Sequence, residues 1–456
     1  MNNSYQLFVH TPPVKLFFIA ALPGAISMLA SSLYGLLDGI FVGRILGDTA
    51  FAAINLAFPF VVINFSLADL IGVGSAVPIS IALGKKDHAQ ANNIFTCACL
   101  MIVGTGFAIG AVLYLAAPAL LSLLGAEGEL ATLAVQYMRV YAICSPVTTI
   151  IFAMDNYLRI CGQIKPSMWL NIFMSVLTAV LEFTFLYVFR WGIWGAALAT
   201  CLGMLVCALI AFYPFARGKL LLRLCRPRFS APMVRQIIGC GVPNFLNNIA
   251  ARITSILMNA VLLKMGGADA VSIYGILMYA GEMVQPLLYG VCDSLQPAVG
   301  YNWGAGKFTR VKAIEKCCFI AGAVVSISLA LCALIFPEAI VSLFTTTTDA
   351  AFLDMAALAM RLFSLTYLTR WFSFAAQSYM IAVEKPIPAS IISVSTALVF
   401  PVVLIAVLWP LGLNGLWLNS TVSALLAAVL AAVILIRFSK ELRRRMRNEK
   451  SAETGE

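Results

Sequence analysis

Two carboxylates stand where an apolar chain should least tolerate them. Asp38 lies near the far end of an apolar run that begins at Leu16, and Glu182 lies inside another that begins at Pro166. An ionisable side chain at the centre of a membrane helix costs at least ~2.5–3.5 kcal/mol on the insertion scale, so such residues are functional candidates by default. Two carboxylates sharing a low-dielectric pocket cannot comfortably both be charged, and their titration is coupled. That is the chemistry of a proton-coupling device. The plainer alternative has Asp38 snorkelling to water and Glu182 satisfied by hydrogen bonds between helices. Arg252 and Glu282 form a second candidate set, a polar pair that would be either a structural ion pair or a substrate contact. Arg139 and Arg361 occupy matching places in the two halves of the chain, which favours a structural role.

Other chemistries lack their parts. The chain has two histidines, His10 and His88, too few for a histidine-based metal centre. Its 12 cysteines are scattered through apolar segments without a Cys-x-x-Cys, so they read as small apolar helix residues and no metal site is expected. There is no Gly-x-Ser-x-Gly, no Walker loop and no His-Glu-x-x-His. Catalytic residues are therefore not expected, the chain does not read as an enzyme, and an ATP-driven pump is disfavoured.

The elements that must position these residues follow from composition. Of 456 residues 61% are hydrophobic and 11% charged, against about 25% charged in a soluble domain. The charges are clustered, leaving uncharged windows of the ~20 residues that a bilayer crossing requires. The expected fold is an all-α polytopic membrane protein with twelve transmembrane helices. They fall at about 15–42, 51–82, 93–122, 131–157, 166–189 and 193–215, then 236–263, 270–300, 313–342, 354–381, 387–408 and 412–436. The first run exceeds the 7–15 residues of a signal-peptide core and is expected to be retained. With the N-terminus inside, 23 of the 30 Lys and Arg face the cytoplasm and three face outward. The positive-inside rule then places both termini in the cytoplasm.

Landmarks recur about 220 residues apart: Pro23 and Pro243, Gly47 and Gly267, Gly84 and Gly304, Cys97 and Cys317, Gly192/Gly195 and Gly412/Gly415. The chain thus reads as two copies of a six-helix unit. An even number of spans gives the copies one orientation, so they are parallel repeats, an N-lobe and a C-lobe around a central cleft. The expected boundaries are 1–216 and 236–437 for the lobes, 217–235 for a basic cytoplasmic linker, and 438–456 for a basic tail that either meets lipid headgroups or is solvated.

Several stretches resemble one family. Asp38-Gly-Ile-Phe-Val-Gly-Arg-Ile-Leu-Gly47, Leu83-Gly-Lys-Lys-Asp87, Gly192-Ile-Trp-Gly-Ala-Ala-Leu-Ala-Thr200 and Gln296-Pro-Ala-Val-Gly-Tyr-Asn-Trp-Gly-Ala305 are similar, in order, to the MATE family, the multidrug and toxic compound extrusion exporters. The last stretch resembles its bacterial, MepA-like and DinF-like branch. The resemblance implies an antiporter that expels amphipathic, often cationic compounds (antibiotics among them) in exchange for protons or sodium. It also implies an ion site in the first lobe made of Asp38, Glu182 and Thr200. Tyr137 matches a family tyrosine. Glu182 stands where the family usually has Asp, and Thr178 where it usually has Asn, so the coupling ion stays open between H+ and Na+.

Helix geometry agrees on depth. At about 1.5 Å per residue, Asp38 lies roughly 35 Å from Lys15, Glu182 roughly 24 Å from Pro166, and Thr200 roughly 12 Å from Gly192, all in the outer half. No cofactor is expected beyond the coupling ion. The expected partners are small amphipathic drugs or metabolites and membrane lipid, not nucleic acid, and the chain is expected to act as a monomer in the plasma membrane. The competing reading within transport is a flippase or exporter of a lipid-linked saccharide, which needs a cleft lined with cations, and few arginines are available for one.

Overall fold

The structure, a computed structural model, describes residues 3–123, 125–345, 347 and 349–454. Of the expected tail, residues 455–456 and the side chains of Lys450 and 452–454 lie outside the described residues.

The described residues are mostly helical. A short helix α1 (Asn3–His10) precedes α2 (Pro13–Leu46), α3 (Asp48–Gly84), α4 (His88–Leu123), α5 (Gly128–Thr148), α6 (Ile150–Ile160), α7 (Ile164–Phe183) and α8 (Ile193–Ala216). After the linker come α9 (Ala231–Cys292), α10 (Gln296–Gly304), α11 (Phe308–Ile335), α12 (Pro337–Ser342), α13 (Ala350–Ser364), α14 (Tyr367–Ala382), α15 (Pro386–Val394), α16 (Phe400–Val407) and α17 (Gly412–Thr454). Among the described residues ten helical stretches are long and apolar enough to cross a membrane, or eleven when the pair α13 and α14, bent by 41°, counts as one. This is a multi-pass, all-α membrane protein.

Helix breaks follow local chemistry. The expected seventh and eighth spans fall in one 74-residue stretch, Ala231–Gly304. Inside it Gly267 is non-helical (φ 68, ψ −160), a conformation that suits glycine because a Cβ would clash there. The expected span 313–342 ends instead at Ile335, ahead of Pro337, because the residue before a proline is pushed out of the α region. The last helix outruns its expected end at 436. Past it the polar face is held by charge pairs and contacts to neighbouring segments: Glu441 with Arg445 (2.9 Å) and with Lys385 (3.1 Å). Arg445 also sits 4.8 Å from the Trp303 ring, and Glu449 accepts from the amide and hydroxyl of Thr309 (2.9 and 3.0 Å). The tail is docked on the chain rather than simply solvated.

The chain forms two compact units. The first comprises Met1–His10 and Ile26–Gly241, the second Thr11–Ala25 and Val242–Glu456. Each contains the start of the helix that opens the other's share of the chain. In the first unit α9 begins against α3, where a Cβ on Gly74 would lie 2.1 Å from Ile237 O and one on Gly241 1.8 Å from Leu70 O. In the second, α2 begins against α9, where a Cβ on Gly24 would lie 1.8 Å from Ser294 Oγ and one on Gly290 2.4 Å from Ala25 Cα. Leu70 and Gly74 are the 220-residue counterparts of Gly290 and Ser294, so the same places in the two units receive a closely packed neighbouring helix. Small residues permit it, since membrane helices associate through close backbone packing.

The repeat is also written in the backbone. Positive φ recurs at Gly47 and Gly267, Lys86 and Gly306, Gly162 and Glu384, Gly192 and Gly412. The core of the first unit gathers Val42, Ala53, Tyr137, Tyr141 and Ala197; that of the second gathers Met258, Tyr274, Phe363 and Trp417. Met258, the counterpart of Asp38, is a buried core side chain.

Candidate ion-coupling site

The site is assembled by three helices of the first unit. Asp38 rides on α2, with Tyr34 one turn earlier on the same face. Glu182 is the penultimate residue of α7, and directly after that helix the chain runs on as a π-helix over Thr184–Val188. Such single-turn π segments inside helices are frequent at functional sites. Thr200 lies two turns into α8, which can start where it does because Gly192 (φ 74) turns the chain in front of it. The two helices α7 and α8 come close at Gly203, where a Cβ would lie 2.2 Å from Thr178 Oγ1.

One hydroxyl joins the parts. The Tyr34 phenol oxygen lies 2.8 Å from Thr200 Oγ1, 3.4 Å from Asp38 Oδ1 and 3.5 Å from Glu182 Oε2. The first distance is a strong hydrogen bond; the other two are long and weak. A tyrosine has one proton to donate, so it can serve only one acceptor fully at a time. When Thr200 donates to Tyr34, the phenol proton is free for a carboxylate; when Tyr34 donates to Thr200, both carboxylates lose it. Thr200 has an outlet of its own in Ala196 O, at 3.4 Å.

Among the described residues no cation pairs with either carboxylate. Glu182 is 0% exposed, and its Oε1 has no hydrogen-bond partner. Breaking buried charges away from their partners is strongly unfavourable, so negative charge here calls for a proton or a small cation from outside. The arrangement can therefore take up and release a positive charge.

The remaining expected residues are placed as follows. Thr178 is one turn before Glu182, and its hydroxyl donates to Met174 O at 2.7 Å. Tyr137 is buried on α5 with its ring 5.0 Å from that of Tyr141, at the core rather than in the hydrogen bonds that Tyr34 makes. Arg252 and Glu282 are exposed and form none of the ion pairs among the described residues. Arg139 lies over the Tyr114 ring at 4.9 Å, whereas Arg361 pairs with exposed Glu338 at 2.7 Å, so the symmetric arginines have different partners. One feature went unread in the sequence: Tyr34, signalled by its i−4 spacing from Asp38. Asp155, an acid expected near a cytoplasmic helix end to meet water, instead pairs with Arg159 at 2.8 Å, accepts from Asn171 at 2.8 Å, and is hydrogen-bonded by Ser167.

Residues 23–184 and again 243–407 match the model of the MatE family. The chain belongs to the MatE family. The two matches start at Pro23 and Pro243, the first pair of repeat landmarks. As a MatE protein it is a secondary transporter of small molecules that works by alternating access. Multidrug export protein MepA of Staphylococcus aureus (strain MRSA252) is 26% identical over 443 residues, covering 95% of this chain and 96% of MepA. MepA of Staphylococcus saprophyticus is 26% identical over 430 residues, 91% and 92% of the two chains. Among solved structures, a MATE in complex with MaL6 superposes with TM-score 0.92 at 22% identity, over 97% of this chain and 100% of that one. A MOP superfamily transporter from Pyrococcus furiosus superposes with TM-score 0.90 at 23% identity, over 97% and 99%. At these identities the structures speak for the fold.

Proposed function

We propose that this MatE protein exports amphipathic, cationic small molecules in exchange for protons. The observation that carries the reading is the Tyr34 hydroxyl set between Asp38 and Glu182, neither of which pairs with a cation among the described residues. A proton entering from outside neutralises one carboxylate, the Tyr34 proton turns to the other partners, and the packing of α2, α7 and α8 changes with it. That change favours the drug-releasing state. Thr200 sets the direction of the Tyr34 proton, while Thr178 and Tyr137 hold the walls.

The same reading takes Ala231–Gly304 as two spans broken at Gly267, for twelve in all. The lobes are 1–216 and 236–437, with linker and tail in the cytoplasm and the protein, a monomer, in the plasma membrane. Arg252 and Glu282 are left as polar residues of the second lobe that meet substrate, and the chain groups with MepA-like exporters. Protons are favoured over sodium because Thr178 replaces the family's usual amide and so removes a side-chain carbonyl oxygen of the kind that hard cations prefer, whereas a proton needs only one carboxylate.

The test is drug efflux from proteoliposomes under a proton gradient, a sodium gradient or neither. Export should follow the proton gradient and fall at least ~100-fold in Asp38→Asn and in Glu182→Gln, with both variants still monodisperse in detergent. Sodium-driven export, or undiminished export in both variants, would sink the reading.

A further inference from the structure

The basic linker is built onto the first unit with unusual precision for a connecting segment. Asn92 Oδ1 accepts from the Arg223 amide at 2.9 Å, and Thr96 Oγ1 accepts from the Cys225 amide at 3.1 Å. Asn93 brackets Arg228, donating to its carbonyl at 2.9 Å and accepting from its amide at 2.8 Å. A backbone held at three points presents its side chains at set places along the start of α4. Beside it opens a cavity of about 430 Å³ lined by His88, Asn92, Lys219, Leu220, Leu221 and Arg223.

The lining is one-sided in charge. Three of its six side chains can carry a positive charge and none a negative one. Neither Lys219, Arg223 nor His88 belongs to any ion pair among the described residues. The nearest acid in sequence, Asp87, accepts from the Gln90 amide at 2.9 Å instead. Arg223 folds its stem over Gly218, 3.9 Å from where a Cβ would be, and Lys219 lies 6.0 Å from the Tyr213 ring. The segment also exposes oil: Leu224 is 46% and Phe229 55% accessible. The cavity opens within a few residues of Ala216, where α8 ends, and Tyr213, an interfacial type of residue, stands just before that end. Cations beside leucines at a helix end match a phospholipid, with phosphate at the charges and acyl chain along the apolar side chains.

We propose that this cavity binds the phosphate headgroup of an anionic phospholipid, from the leaflet on the linker's side of the membrane. The assignment rests on the chain spanning the membrane with Ala216 near its surface, and is independent of the coupling chemistry at Asp38.

Native mass spectrometry of the full-length protein, titrated with phosphatidylglycerol or phosphatidylcholine, tests it. Basic residues near an anionic surface are worth about fivefold each. Lys219→Gln/Arg223→Gln should therefore weaken the first phosphatidylglycerol at least ~10-fold and leave phosphatidylcholine unchanged. Arg443→Gln/Arg444→Gln, with equal charge loss in the tail, should leave phosphatidylglycerol binding as it is. Equal affinity in the linker variant and the parent overturns the proposal, as does an equal loss in the tail variant. Displacement of the lipid by millimolar inorganic phosphate shows a soluble-anion site and also overturns it. Should the double variant not fold, Lys219→Gln and Arg223→Gln are read singly, each at about fivefold. Asp38→Asn keeps lipid binding while losing export, which separates this outcome from failure of the transport reading.

Discussion

The Tyr34 phenol oxygen and Thr200 Oγ1 are 2.8 Å apart, the shortest link between α2 and α8 in the site. Either oxygen can be the donor, and the choice decides whether the phenol proton reaches a carboxylate. The pair is thus a relay with two settings rather than a static tie.

If the relay acts as a unit, its two members are not additive. Tyr34→Phe and Thr200→Ala should each lower proton-driven export about 10-fold or more, in line with ~1.5–3 kcal/mol for hydrogen bonds to charged groups. The double variant should be little worse than either alone, since groups in one network show interaction energies. Initial rates in proteoliposomes give the cycle; two independent, additive losses would refute the relay.

The close approach of α7 and α8 is equally open to test. Gly203→Ala would put a methyl 2.2 Å from Thr178 Oγ1, and overpacking of this kind costs about 1–3 kcal/mol. The melting temperature in detergent should drop, and Thr178→Ala should restore part of it by removing the clashing oxygen. A Gly203→Ala protein as stable as the parent would show that the helices separate easily there.

At the other end of the chain, Glu449 caps α11 through Thr309. Glu449→Ala should cost about 0.5–2 kcal/mol, the usual loss on removing a cap. Amide exchange should speed up at both 309–312 and 441–449, because the same contact holds both segments. Faster exchange in the tail alone would mean the cap is dispensable to α11.

Sidedness has a natural reporter in Cys225, which is exposed in the linker. In a Cys332→Ser background, which removes the other exposed cysteine among the described residues, and with the linker in the cytoplasm, a membrane-impermeant maleimide should label Cys225 in inverted vesicles and not in right-side-out ones, and Cys225→Ser should abolish that signal. Labelling from the opposite side would reverse the topology.

Much of the fold could be read in the residues because its signals are long and redundant. An apolar window of twenty residues or a glycine at a forced turn survives divergence, and so Gly47, Gly192, Gly267 and Gly412 were legible as repeat marks and all have positive φ. The breaks were harder. Pro337 ended a helix that hydropathy alone would carry through, since hydropathy does not see φ restriction. The docked tail was invisible for a similar reason: its contacts to Trp303, Thr309 and Lys385 come from distant segments. In the site, Asp38 and Glu182 stood out because charge in an apolar run is rare. Tyr34 did not, because a tyrosine in a membrane helix is ordinary until the acid one turn away gives its hydroxyl a task.

Gly24 against Ser294 and Gly74 against Ile237 bear on how far either half could stand by itself. Each unit is finished by a stretch of helix that the other half's sequence supplies, residues 11–25 in one direction and 231–241 in the other. A fragment cut at the linker would therefore lack the piece of helix that closes its own unit.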